Sequence, residues 1–230
     1  MTARRLVAES LGTAGLLTAI VGSGITTASD GAASAQLFQH AAVVGAALAA
    51  LIVTLGPVSG AHFNPAVTLV DTLLGGTSAW MAVAYVVAQI VGAVGGVVGA
   101  NMLFGLPAVV VATTDRTGAA FAASEGIATV GLLLVIFGLL RSGSARAVPA
   151  AVGGWIAAAI YFTSSTSFAN PAVTVARVLT DTYTGIAPPA VPGFLLAQLV
   201  GALLAAGLVG WLFRPTVPVE RTRGGDEGLY

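Results

Sequence analysis

The sequence predicts an all-α membrane protein with six transmembrane helices and two re-entrant half-helices, arranged as an inverted 3+3 repeat. Three observations lead there. The 230 residues are 57% hydrophobic and only 8% charged, with a mean hydropathy of +0.95. A soluble domain is about one quarter charged. Six apolar segments are each long enough for the ~20 residues that cross a bilayer. One short motif is written twice, in "HFNPAVTLVD" from His62 to Asp71 and in "FANPAVTVAR" from Phe168 to Arg177.

The six apolar segments fall at about 6–28, 36–57, 79–104, 119–140, 147–166 and 190–213. Abundant Gly and Ala suit helices that pack closely in lipid. Arg4 and Arg5 before the first segment, with "ASA" at Ala33–Ala35, have the outline of a signal peptide. Glu9 at the head of the apolar run counts against that reading, and the internal repeat counts more strongly. Two further apolar stretches begin at Asn64 and Asn170 and last about ten residues each. Ten helical residues cover about 15 Å, half of a ~30 Å hydrocarbon core. Two such half-spans meeting end to end make one full span.

Orientation follows from the basic residues, all nine of which are Arg. With six spans, Arg4, Arg5, Arg141, Arg146, Arg214, Arg221 and Arg223 fall on one side, which the positive-inside rule makes the cytoplasm. Only Arg116 and Arg177 fall on the other. Both termini are therefore expected in the cytoplasm, with a polar tail over 215–230. The remainder, 1–214, reads as one domain, with repeat one at about 4–104 and repeat two at about 118–214.

The halves align at more than the doubled motif. "AESLGT" (Ala8–Thr13) matches "ASEGIAT" (Ala123–Thr129) around Glu9 and Glu125. "AQIVGA" (Ala88–Ala93) matches "AQLVGA" (Ala197–Ala202). Three spans per half is an odd number, so the second motif enters from the opposite side. Such folds place their solute path near the midplane. Asn is a strong N-cap and Pro is favoured at the first helical position. Asn64-Pro65-Ala66 and Asn170-Pro171-Ala172 thus each open a helix whose N-terminus points at the membrane centre. Two such ends repel a cation, while the Asn amides offer donors to a water or a neutral hydroxyl. The pattern predicts a pore for neutral polar molecules that rejects protons and cations.

These residues resemble the aquaporins, or major intrinsic proteins. The resemblance covers about residues 4–214. It rests on the paired motifs, on Glu-x-x-Gly-Thr in the first span, on Ala-Gln-x-x-Gly-Ala in the third and sixth, and on "SGAHFNPAVTL". It implies an aquaporin-like right-handed bundle and a homotetramer with one pore per subunit. It implies structural support of the two loops by Glu9 and Glu125; the alternative for this pair is a proton relay. Backbone carbonyls of Gly60, Ala61, His62, Phe63 and of Thr166, Ser167, Phe168, Ala169 are expected along the path. The His62 side chain either lines the cytoplasmic side of the pore or packs the loop.

Most members of the family have an Arg directly after the second Asn-Pro-Ala; here Val173 stands there. Carried over by ungapped spacing, the selectivity filter becomes Val44, Ala158, Ser167 and Val173, without charge or large ring. A wider, more apolar constriction is expected. Arg177, one turn beyond Val173, reads either as a displaced filter arginine or as an exposed charge paired with Asp181 at i+4, and the second reading is favoured. Tyr161, Phe162 and Phe168 are candidates to refill the ring. The stretch "FTSSTSFANPAVTVARVLTDTYTGI" looks like a bacterial subgroup with Val at this position, some of whose genes lie near arsenic-resistance genes. The implied solutes are water, glycerol-like molecules, and uncharged arsenite or methylated arsenicals.

The expected function is passive diffusion of water and small neutral solutes across the inner membrane. Two rivals are a proton-coupled secondary transporter and a non-conducting structural protein of the same fold. No nucleophile–base pair or metal cluster points to an enzyme, and no catalytic residue or metal ligand is assigned. No cofactor is expected. With no Cys, disulfides and thiolate metal sites are excluded. A net charge of zero gives no electrostatic case for nucleic acid.

Overall fold

The computed structural model describes residues 2–28 and 32–213. The tail expected at 215–230 lies outside the described residues, as do Arg214, Arg221 and Arg223. Eight α-helices follow in order: α1 (Thr2–Thr27), α2 (Ala33–Ser59), α3 (Pro65–Leu73), α4 (Ala79–Leu103), α5 (Ala119–Arg141), α6 (Val148–Phe162), α7 (Pro171–Ala176) and α8 (Val191–Leu212). Six of these, all but α3 and α7, are long and apolar enough to cross a membrane, α6 and α8 each counted with the short 3₁₀ turn before it.

Proline and glycine punctuate the spans as their backbone limits require. Pro sits in the first turn of α3, α6, α7 and α8, where its missing N–H costs no helical bond. Gly60 ends α2 in the left-handed region at φ 90° and returns its N–H to the Gly56 carbonyl. The fifth span stops at Phe162, four residues short of the sequence reading. Thr163 turns extended there, and its hydroxyl accepts from the Ser167 N–H at 3.0 Å. Those four residues belong to the re-entrant loop. The second half-helix is also shorter than expected: α7 has six residues and tightens into a 3₁₀ turn over Arg177–Leu179.

The packing repeats with the sequence. α1 packs on α4 and α2, α5 packs on α8 and α6, and α2 meets α6 across the repeats. Small residues set these approaches. A Cβ on Gly153 would stand 2.5 Å from the Gly45 carbonyl oxygen, and one on Gly45 would stand 2.6 Å from that of Gly153. Close backbone contact of this kind is the usual way helices associate in lipid. Trp80, Val91, Leu103, Leu196 and Trp211 are exposed on the periphery, as a hydrocarbon surround allows.

Candidate functional site: a path between two half-helices

The two re-entrant loops are held by the same set of bonds. In the first, Glu9 Oε1 accepts from Ser59 Oγ at 2.6 Å and His62 N at 3.0 Å. Its Oε2 accepts from Phe63 N at 2.7 Å and Gln89 Nε2 at 2.8 Å. In the second, Glu125 Oε1 accepts from Ser165 Oγ at 2.6 Å and Phe168 N at 2.9 Å. Its Oε2 accepts from Ala169 N at 2.8 Å and Gln198 Nε2 at 2.6 Å. Both carboxylates are fully buried. A buried charge is tolerated when its lone pairs are filled this way.

The remaining repeated residues complete the brace. Gln89 and Gln198 also donate to the Thr68 and Thr174 hydroxyls, at 3.0 and 2.8 Å. Those hydroxyls donate onward to the Asn64 and Asn170 carbonyls, at 3.1 and 3.0 Å. The doubled "Asn-Pro-Ala-Val-Thr" is therefore a cap and its anchor. The roles of Gln89, Gln198, Thr68 and Thr174 are absent from the sequence reading, although the matched "AQIVGA" and "AQLVGA" carried the signal.

The loops adopt backbone that L-residues rarely take. Ala61, Phe63, Thr166, Ser167 and Ala169 all have φ between 46° and 60°. Strain of this kind persists only where the surroundings over-determine it, and here the carboxylates do so by gripping the loop N–H groups.

Asn64 and Asn170 meet at the centre. Asn64 Oδ1 accepts from Ala66 N at 2.8 Å, and Asn170 Oδ1 accepts from Ala172 N at 3.0 Å and Val173 N at 3.3 Å. Each Oδ1 faces N–H donors, which assigns the amide nitrogens. Asn64 Nδ2 donates to the Ala169 carbonyl and Asn170 Nδ2 to the Phe63 carbonyl, both at 2.8 Å. One N–H of each amide is thus spent on the opposite loop. Among the described residues the other has no protein partner.

A cavity runs past both Asn residues, walled by Leu16, Ile20, Leu48, Ile136, Val152 and Ile156 among others. Ala61, His62, Phe63, Thr166, Ser167 and Phe168 line it, as do Val44 and Val173. Pro65, Ala66, Pro171 and Ala172 do not; they shape the caps. Gly60 lies in an adjoining cavity at one mouth, together with Asp71, Phe137 and Leu140. Ala169 does not line the cavity, and its carbonyl serves Asn64. The His62 side chain both lines the path and packs the loop. Its Nδ1 lies 3.1 Å from Thr68 Oγ1, its Nε2 3.9 Å from Asp71 Oδ2, and its ring edge-on to Tyr85.

Three placements differ from the sequence reading. Ala158 is exposed on the outer surface of α6, in a groove with Phe38, Tyr161 and Phe162. The inward face of α6 is Val152, Ile156 and Ile160, four residues apart. Ala158 lies midway between two of them, and two residues turn a helix by about 200°. Tyr161 and Phe162 point outward as well, so of the three aromatics only Phe168 lines the path. Arg177 is not an exposed partner of Asp181. It is 2% exposed and lies 3.4 Å from the Phe168 ring centroid, with its Nε donating to the Thr184 carbonyl. Asp181 instead accepts from Thr113 N at 2.8 Å and Thr113 Oγ1 at 2.9 Å, which holds its carboxyl below the ordinary range. A further lining residue, His40, was not anticipated.

Comparison with known proteins agrees with this architecture. The chain is 47% identical to the aquaglyceroporin AqpS of Rhizobium meliloti, over 95% of this chain and 94% of that one. It is 34% identical to the probable aquaporin AqpM of Archaeoglobus fulgidus, over 72% of each chain. Among solved structures, the aquaglyceroporin of Plasmodium falciparum superposes with a TM-score of 0.75 at 21% identity, covering 94% of this chain and 98% of that one. The family described as "Major intrinsic protein" matches residues 1–147, and the chain belongs to it.

Proposed function

We infer that this protein is a passive channel through which water and small, neutral, glycerol-like solutes cross the membrane. The observation that carries this is a cavity with largely apolar walls that passes the two Asn caps. A solute moving there exchanges hydration for loop carbonyls and Asn N–H groups. The likeness to an aquaglyceroporin along nearly the whole chain supports the same reading. A proton relay through the buried pair needs carboxylates with a free lone pair. Glu9 and Glu125 each already accept four bonds.

The finer reading adds a relaxed constriction. Val44, Ser167 and Val173 stand around the path with Ile160 in the place expected for Ala158, and this ring has neither charge nor aromatic side chain. Glycerol-sized solutes pass it, and arsenite is the next solute to test. The protein acts as a homotetramer in the inner membrane, one path per subunit, with both termini and the His62 mouth cytoplasmic. The chain performs no catalysis.

Stopped-flow light scattering on proteoliposomes tests the relaxed constriction. Wild type should pass water and glycerol, and Val173→Arg should cut glycerol flux at least about tenfold, the cost of one ~1.4 kcal/mol barrier increment, while sparing water. Wild-type vesicles no more permeable than bare lipid would refute the channel. Unchanged glycerol selectivity in the variant would refute the place given to Val173.

A further inference from the structure

The side chains at the outer end of the path do something that the apolar ring cannot. His40 precedes Val44 by one turn of α2, and Arg177 follows Val173 by one turn. α2 runs inward from its start at Ala33, and α7 runs outward from Asn170. Both displacements are therefore outward, by about 6 Å of helix axis for four residues. His40 and Arg177 are 1% and 2% exposed, yet both line the cavity.

Their polar atoms are complementary. Ser23 Oγ lies 2.6 Å from the Ala19 carbonyl and 2.7 Å from His40 Nδ1. With the hydroxyl proton on the carbonyl, a common partner for a helical serine, Nδ1 carries the ring hydrogen and Nε2 is an acceptor; we assign that tautomer. Tyr183 packs edge-on against the ring and fixes its plane. On Arg177, Nε is held by the Thr184 carbonyl and the guanidinium plane by Phe168. Among the described residues, neither terminal nitrogen of Arg177, nor His40 Nε2, has a protein partner, and none of the three is sealed from the cavity.

We propose that His40 and Arg177 form a second, polar constriction outside the Val44–Val173 ring, and that the two in series select neutral solutes with a hydroxyl end and a small apolar end. This rests on the channel reading above. A hydroxyl both donates and accepts. His40 Nε2 takes its proton and Arg177 Nη serves its oxygen. The fixed guanidinium charge turns cations away from the same spot. One turn further in, Val44, Ile160 and Val173 receive the methyl or methylene part. The charge missing after the second Asn-Pro-Ala is supplied from four residues later in the chain, with the acceptor drawn from a different helix.

The test compares glycerol, 1,2-propanediol and water permeabilities in proteoliposomes. Arg177→Met and His40→Phe should each lower the propanediol-to-water ratio about three- to tenfold, the effect of one net hydrogen bond. The double variant should lower it no further than the larger single change. Ratios unchanged in conducting variants overturn the proposal. Wild type no better than lipid overturns the channel reading instead.

A second measurement decides if those variants do not insert. The chain has no cysteine, so His40→Cys gives a single thiol. A neutral methanethiosulfonate added outside should block flux, at least about tenfold faster than a cationic one of similar size, because a unit charge lies nearby. An unreactive thiol, or equal rates, overturns the proposal.

Discussion

Replacing Glu125 with Gln isolates what the buried carboxylates do. The side chain keeps its size but turns one acceptor oxygen into a donor. If the new NH2 takes the Oε2 place, it faces Ala169 N and Gln198 Nε2, both obligate donors. If it takes the Oε1 place, it faces Phe168 N and the Ser165 hydroxyl. The hydroxyl can reverse, but the N–H cannot. Either way about two charge-assisted bonds weaken or vanish and a buried N–H loses its acceptor. At about 1.5–3 kcal/mol each, the cost is about 3–6 kcal/mol. For a chain of this size that lowers the melting temperature by at least about 6 °C. Thermal unfolding in detergent and water flux in vesicles should fall together in Glu125→Gln. An unchanged melting temperature with lost pH-gradient-driven uptake would refute the brace and make Glu125 a proton carrier.

The cap and the helix contacts can be tested separately. Asn170→Ala removes an N-cap, at about 0.5–2 kcal/mol, and a buried bond to the Phe63 carbonyl, at about 0.5–1.5 kcal/mol. A loss of about 1–3.5 kcal/mol should appear in denaturant or thermal unfolding, and a stability equal to wild type would mean that the caps are not structural. Gly153→Ala places a methyl against the Gly45 carbonyl. It should cost about 1–3 kcal/mol by overpacking while leaving the glycerol-to-water ratio alone. A changed ratio would show that the α2–α6 contact shapes the path.

How much of this was legible in the sequence depends on which kind of signal each residue carried. The inverted repeat and both Asn-Pro helix starts were legible because they are local: a cap, a proline and a count of spans. Glu9 and Glu125 were legible as braces because their placement is symmetric. Ala158 was misplaced because counting back from Asn170 crosses the loop at Thr163–Ala169, and a spacing carries no helical phase across irregular backbone. Four-residue periodicity within α6 would have pointed to Ile156 and Ile160. Arg177 was read as a surface ion pair because Asp181 stands at the right interval, but i+4 geometry presumes a helix, and α7 has become a 3₁₀ turn by then. His40 had a signal that went unused. It is one of two His in the chain and sits inside an apolar span, where an ionisable side chain is a functional-site hypothesis by default.

The crossed amides at the centre have a consequence for how the molecule is made. Asn64 is bonded to a residue 105 positions later, and Asn170 to one 107 positions earlier. Neither repeat can satisfy its own motif. A chain that stopped at residue 118 would hold an asparagine without its acceptor and a carbonyl without its donor, in the middle of the bilayer. Five spans and the first half-helix precede in the chain the residues that seal them, and the first loop takes its final partner only once Asn170 has left the ribosome. Each half acts as the other's template, and co-expression of the two halves as separate chains should rebuild what neither builds alone.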